Sequence, residues 1–293
     1  MSGRVLRTAL SFAAVVFVLM DGRPASARLG PKSALVTVVA EAGTPIRDLK
    51  ARDFVVKEDG TKRDVLEAQL ADEPLSIAFL IDTTQPPLGG MPPTQDLRTS
   101  AATFVKAIHA VSPDAQIALG EFAGASVTTV PFTSNTADLE KAIARLYPNQ
   151  QGVAVLLEAL VDAGKKLAAR PAPRRAIVTV DLHSPEGSAE RTMKEAVSSV
   201  HDAGATLWPV TVRGNAPDDP NREDVLNRLT KANGGMRFSS IDASGLEGML
   251  KKVAASLTSQ YIVTFTRPGD GSVKSTTFET VGGPKVLLTP FMR

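Results

Sequence analysis

Cysteine is absent from all 293 residues, so no disulfide can staple the chain and its stability must come from core burial. Net charge is nearly absent too, with 33 lysines and arginines against 31 aspartates and glutamates. A nucleic-acid binder or a protein held on an anionic membrane needs a basic excess, and the balance argues against both. Spanning a bilayer takes about 20 apolar residues, and the apolar run from Ala9 to Met20 is too short for that. Also missing are a Gly-X-Ser-X-Gly elbow, a His-Glu-X-X-His pair and a paired-glycine dinucleotide loop. "ALVDAGKK" at 159–166 imitates a phosphate loop only faintly: Ala159 stands where the first glycine belongs, no hydroxyl follows Lys165, and the stretch has helical periodicity. The single tryptophan, Trp208, lies on an apolar strand beside Pro209 and reads as core.

What is present begins with a leader. Arg4 and Arg7 precede the apolar run, and Ala-Ser-Ala follows at 25–27, the layout of a secretory signal peptide cleaved after Ala27. Its removal takes away three arginines and one aspartate from the 33 and 31, leaving 30 of each sign and no net charge. The expected location is secreted or periplasmic, with no stable membrane insertion after cleavage.

Beyond the leader the pattern changes twice. Residues 34–69 alternate as short strands, with "DFVVKEDGTKRDVLEAQ" read as a hairpin turning at Asp59-Gly60. From Leu75 strands and helices take turns. "LSIAFLI" is apolar at nearly every position, as in a parallel sheet covered on both faces. Leu97, Ala101, Phe104, Val105 and Ile108 form one helical stripe, and Leu246, Met249, Leu250, Val253 and Leu257 form another. Ser188 is expected to cap a helix carrying Met193, Ala196, Val197 and Val200. After residue 258 the helical period vanishes, and "SQYIVTFT", "TTFETV" and "KVLLTPF" read as strands between turn sequences. The chain thus divides into a signal peptide (1–27), the N-terminal part of a β-unit (28–72), an α/β domain (73–258) and the C-terminal part of the β-unit (259–293). Neither end can bury a core alone, so the two are expected to pair.

A first buried strand ending Asp-X-Thr at Asp82 and Thr84, then a helix and a two-strand ribbon, resembles the von Willebrand factor type A (vWA) domain. "VVAEAGTPIRDLKARDFVVKEDG", "LTKANGGMRF" and "LTSQYIVTFTRP" resemble the leader, the late glycine pair and the Gln-Tyr strand of the bacterial secreted VWFA-related subgroup. The resemblance implies a doubly wound, mostly parallel sheet with helices on both faces, beside a small antiparallel β-unit formed from both chain ends. It also implies a metal-ion-dependent adhesion site at the strand ends. The family's ligands map onto Asp82, Thr84 and Asp181, while Pro86 and Val153 replace the expected hydroxyl ligands. The site is therefore expected to be degenerate, with Mg²⁺ bound weakly or not at all.

The functional expectation is an exported, non-enzymatic interaction module that binds a protein partner at the carboxyl ends of the strands. The alternatives are an envelope-assembly subunit with a vestigial site, or a hydrolase using Asp82, Asp181 and His183. The plainer reading of the two aspartates is that strand-end carboxylates accept backbone N–H bonds in loops. His183 reads as a solvated loop residue, and His109 and His201 as surface residues of helices.

Overall fold

The protein is described from a computed structural model covering residues 31–84, 93–149, 152–188, 193–214, 218–267 and 272–292. The signal peptide and Pro86 lie outside the described residues.

The central sheet is built from β5 (Leu75–Ile81), β6 (Gln116–Glu121), β7 (Val127–Thr133), β8 (Arg174–Asp181), β9 (Thr206–Val212) and β10 (Phe238–Ser240). Their order is β10-β9-β8-β5-β6-β7, parallel throughout except for the antiparallel edge strand β7. All seven residues of β5 are buried, because both of its faces are covered. Ile77, Phe79 and Ile81 point to one face, where α1 (Thr94–Val111), α2 (Thr136–Ile143) and α6 (Leu246–Leu257) pack. Ala78 and Leu80 point to the other, under α3 (Leu156–Ala168), α4 (Met193–Asp202) and α5 (Pro220–Asn233). "ALVDAGKK" lies wholly inside α3. Among the described residues no helix is long and apolar enough to cross a membrane.

The two chain ends build a β-unit of two small facing sheets. One is four-stranded, ordered β13 (Lys285–Met292), β1 (Lys32–Val39), β11 (Tyr261–Phe265), β4 (Val65–Leu70). The other is three-stranded, ordered β12 (Thr276–Thr280), β2 (Phe54–Glu58), β3 (Thr61–Arg63). Between them lie Val36, Phe54, Val56, Val263 and the edge-on ring pairs Phe54–Tyr261 and Phe265–Phe278. The hairpin does turn at Asp59 (φ 47°) and Gly60 (φ 79°), but it is shorter than expected. After Arg63 the chain leaves β2, and 65–70 pairs with β11 in the other sheet. That strand is mostly exposed, so its alternation carried no information about its neighbour.

The stretches that carried the family resemblance prove to be structural ties. The Tyr261 hydroxyl donates to Ile46 O at 3.0 Å and accepts from Leu49 N at 3.2 Å, pinning the loop between β1 and β2. Gln260 Oε1 accepts from the buried Arg174 at 3.2 Å, and Arg174 also donates to Ala71 O at 3.0 Å and Glu73 O at 3.1 Å, closing the joint between the β-unit and the α/β domain. Glu58 is buried against Arg63 and Arg267. Asp59 accepts from Lys274 N and Ser275 N. Gly235 lies so close to β9 that a Cβ there would sit 1.6 Å from Leu207 O, which requires glycine.

Candidate functional site

β5 and β8 are neighbours, with Ile81 opposite Val180, and the chain departs from them to opposite sides of the sheet. This is the switch point where an open α/β sheet leaves a crevice at its strand ends. Asp82 and Asp181 stand there, 0% and 1% exposed, with Thr84 at 1%. The three side chains expected at the site therefore converge. Val153 is 49% exposed, and a Cβ at Gly187 would clash with it.

Donors from the two strand-end loops hold both carboxylates. Asp82 Oδ1 accepts from Thr84 N at 2.9 Å and from Thr84 Oγ1 at 2.6 Å, and Oδ2 accepts from Leu182 N at 3.1 Å. Asp181 Oδ1 accepts from His183 N at 2.7 Å, a turn that places His183 at φ 57°. The Thr84 hydroxyl also shares a short hydrogen bond with the Ser184 hydroxyl.

A cation occupies the same crevice. Arg222, two residues into α5 and 1% exposed, pairs through Nη2 with Asp181 Oδ1 and donates through Nη1 to Ser184 O. Within "REDVLNRLTKA" Arg222 falls on the same helical stripe as Val225, Leu226 and Leu229, all buried, so the segment's own period puts it on the covered face. A second signal was indirect: two buried strand-end carboxylates require a neutralising partner. Ser184, which joins Thr84 to Arg222, was likewise missed.

Burial pushes Asp82 up to about 6, with the Asp181 charge adding to the rise and the bonds from Thr84 opposing it. Burial also raises Asp181, against the pull of Arg222. An aspartate raised from 3.8 to about 6 contributes stability that is fully present below about pH 4 and is lost as pH rises through 6. The loss amounts to about 3 kcal/mol. Urea unfolding of wild type and Asp82→Asn at pH 4 and pH 7 isolates this group. The stability difference is expected to move by about that amount against the wild type on going to pH 7. An unchanged difference would show that Asp82 titrates alike in the folded and unfolded states.

The histidines depart from expectation in two places. His183, in the left-handed region at φ 57°, is buried rather than solvated (5% exposed), with Nε2 3.2 Å from Asp218 Oδ1. His109 is half-buried and bridges Thr136 Oγ1 at 2.7 Å and Ala115 O at 3.0 Å, tying α1 to the loop ahead of β6 and to α2. His201 is exposed as expected. His183, Asp218 and Glu223 bring potential ligand atoms within 4.8 Å of one another, but Asp218 is held by Arg213 and Glu223 by Arg237. Among the described residues the Ser188 hydroxyl is found at α3 instead, accepting from Glu158 N at 3.3 Å in that helix's first turn.

No protein-family model matches the sequence, and no curated protein is significantly similar to it. Solved structures do match. A von Willebrand factor type A protein from Catenulispora acidiphila is 14% identical, with a TM-score of 0.50 over 88% of this chain and 72% of that one. The PilB minor pilin from Streptococcus sanguinis is 10% identical, with a TM-score of 0.51 over 64% of this chain and 62% of the pilin. The vWF domain of the type V pili tip protein Mfa5 from Porphyromonas gingivalis is 11% identical, with a TM-score of 0.50 over 63% and 95%. This chain therefore spans less than two thirds of the pilin's length. At such identities the likeness is one of architecture, and the chain has the von Willebrand factor type A fold beside a β-unit made from its two ends.

Proposed function

We propose that the chain is an exported, non-enzymatic interaction module of the vWA type, which binds a protein partner on the strand-end face without using a metal. Its working parts are the signal peptide 1–27, the α/β domain 73–258 and a β-unit from 28–72 and 259–293. The observation that carries this reading is the Arg222 guanidinium in the crevice. Asp82, Thr84 and Asp181 do not fit a divalent cation. Such an ion needs about six oxygens, whereas here both Asp82 oxygens and the Thr84 hydroxyl are already bonded within the loops. Asp181 Oδ2 is the one expected ligand oxygen without a hydrogen bond, and its carboxylate is already neutralised by Arg222.

A hydrolase is disfavoured on the same grounds, because a general base must reach its proton and Asp82 is 0% exposed with both oxygens occupied. Partner recognition instead falls to side chains that do reach solvent on this face. Tyr147 is 72% exposed beside Asn149, which bridges to Thr84, and Val153 is 49% exposed. Tyrosine is enriched among residues that dominate binding energy, and the pilus proteins sharing this fold make an envelope or surface partner the natural class.

The test is capture of partners from an envelope extract by the mature chain. Capture is expected to be equal with EDTA and with Mg²⁺, and to drop at least about tenfold for Tyr147→Ala combined with Val153→Asp. Capture that EDTA abolishes, or that survives the double change, would refute the proposal.

A further inference from the structure

At the far end of α5 from Arg222 lies a cleft of about 750 Å³, between the last turns of that helix and the β-unit. Ligand sites commonly measure about 300–1,000 Å³. The basic residues lining it are His201, Lys231, Arg237, Lys274 and Lys285, with no carboxylate among its described walls. In a chain of 33 basic and 31 acidic residues such segregation is not a consequence of composition. Arg237 is committed to Glu223 and Asn227. The ammonium groups of Lys231, Lys274 and Lys285 make no ion pair or hydrogen bond within the described residues.

Helix C-termini favour cations on their own account, which explains His201 and Lys231 in the last turns of α4 and α5. It does not explain Lys274 and Lys285, which the β-unit brings from the other side. The same cleft has an apolar floor at Met236 and Leu287. Gly234 (φ 75°) and Gly235 form its wall, so the Gly-Gly stretch has a use here besides its close packing on β9.

We propose that this cleft binds a small polyanion, a carbon or phosphate skeleton carrying two or more phosphoryl or carboxylate groups, held by the lysines from both sides. The site is separate from the strand-end face and does not depend on what that face binds. Because Lys231 comes from the α/β domain and Lys274 and Lys285 from the β-unit, a ligand bridging them ties the two together and stabilises the native chain.

The test is calorimetry and thermal melting with sodium tripolyphosphate and, separately, with citrate, both at millimolar concentration and matched ionic strength. The proteins are the wild type, Lys231→Ala/Lys285→Ala, Lys274→Ala, and Lys165→Ala as a surface control on α3. Wild type and control are expected to bind with one site and a raised Tm, and the cleft variants to bind at least about tenfold more weakly. Binding of tripolyphosphate alone assigns a phosphoryl ligand, binding of citrate alone a polycarboxylate, and binding of both the shared anion chemistry. Should the double variant fail to fold, Lys274→Ala carries the comparison. No binding of either probe to the wild type, or equal binding by every folded variant, overturns the proposal.

Discussion

A chain ending at residue 258 is expected to lose cooperative folding of the whole β-unit, with Tm lowered by well over about 10 °C or no soluble product. The removed segment is not a tail. β11 is an interior strand, hydrogen-bonded to β1 on one side and β4 on the other, so its loss strips the ladder from two strands at once. Among the described residues, four of the nine buried side chains in the sandwich core, Tyr261, Val263, Phe265 and Phe278, leave with it. Burying each such side chain is worth about 1.5–3 kcal/mol, and a domain's entire stability is about 5–15 kcal/mol. Phe54, Val36 and Val56 would be left facing water. Gln260 departs as well, leaving the buried Arg174 with one partner fewer at the joint to the α/β domain. Scanning calorimetry of the two chains decides the matter: melting within a degree or two of each other would mean that the ends are not one unit.

The parts of the fold legible in the sequence were those whose signal is local. "LSIAFLI" has no polar position to give a two-sided strand away, and Asp59-Gly60 can satisfy two positive φ angles only in a tight turn. The helical stripes through Phe104 and Leu250 name their buried faces directly. What local pattern does not carry is the identity of a distant partner. Residues 65–70 alternate as a strand does, yet nothing in them distinguishes β2, their neighbour in sequence, from β11, almost 200 positions away. Ser188 has the chemistry of a cap, and it satisfies a donor on α3, a helix that precedes it. The site divides along the same line. Asp82, Thr84 and Asp181 follow strands and could be placed at strand ends from sequence. Arg222 reaches them from a helix 41 residues beyond Asp181; it shares the buried stripe of Val225, Leu226 and Leu229, but nothing local in that stripe says which carboxylate it meets.

That arginine carries the second large effect. Arg222→Met keeps the length and apolar stem of the side chain and removes its charge along with the bond to Ser184 O, leaving Asp82 and Asp181 buried together without the guanidinium. Breaking one side of a buried pair costs about 3–5 kcal/mol. Burial already raises both carboxyls with Arg222 present, and Arg222 lowers both; without it they rise further. The cost is therefore expected in full at pH 7 and in much smaller part near pH 4, where the unpaired carboxyls take up protons in the folded state. Adding Asp181→Asn to Arg222→Met should recover a large share at pH 7, since it removes the charge that lost its partner. Magnesium supplies the separate test of whether the guanidinium stands in for a metal. Urea unfolding of wild type is expected to be indifferent to Mg²⁺, because the cation position is already filled from within the chain. If the wild type is stabilised by Mg²⁺ and Arg222→Met is not destabilised at pH 7, then Arg222 is no substitute for the ion and the strand-end face uses metal after all.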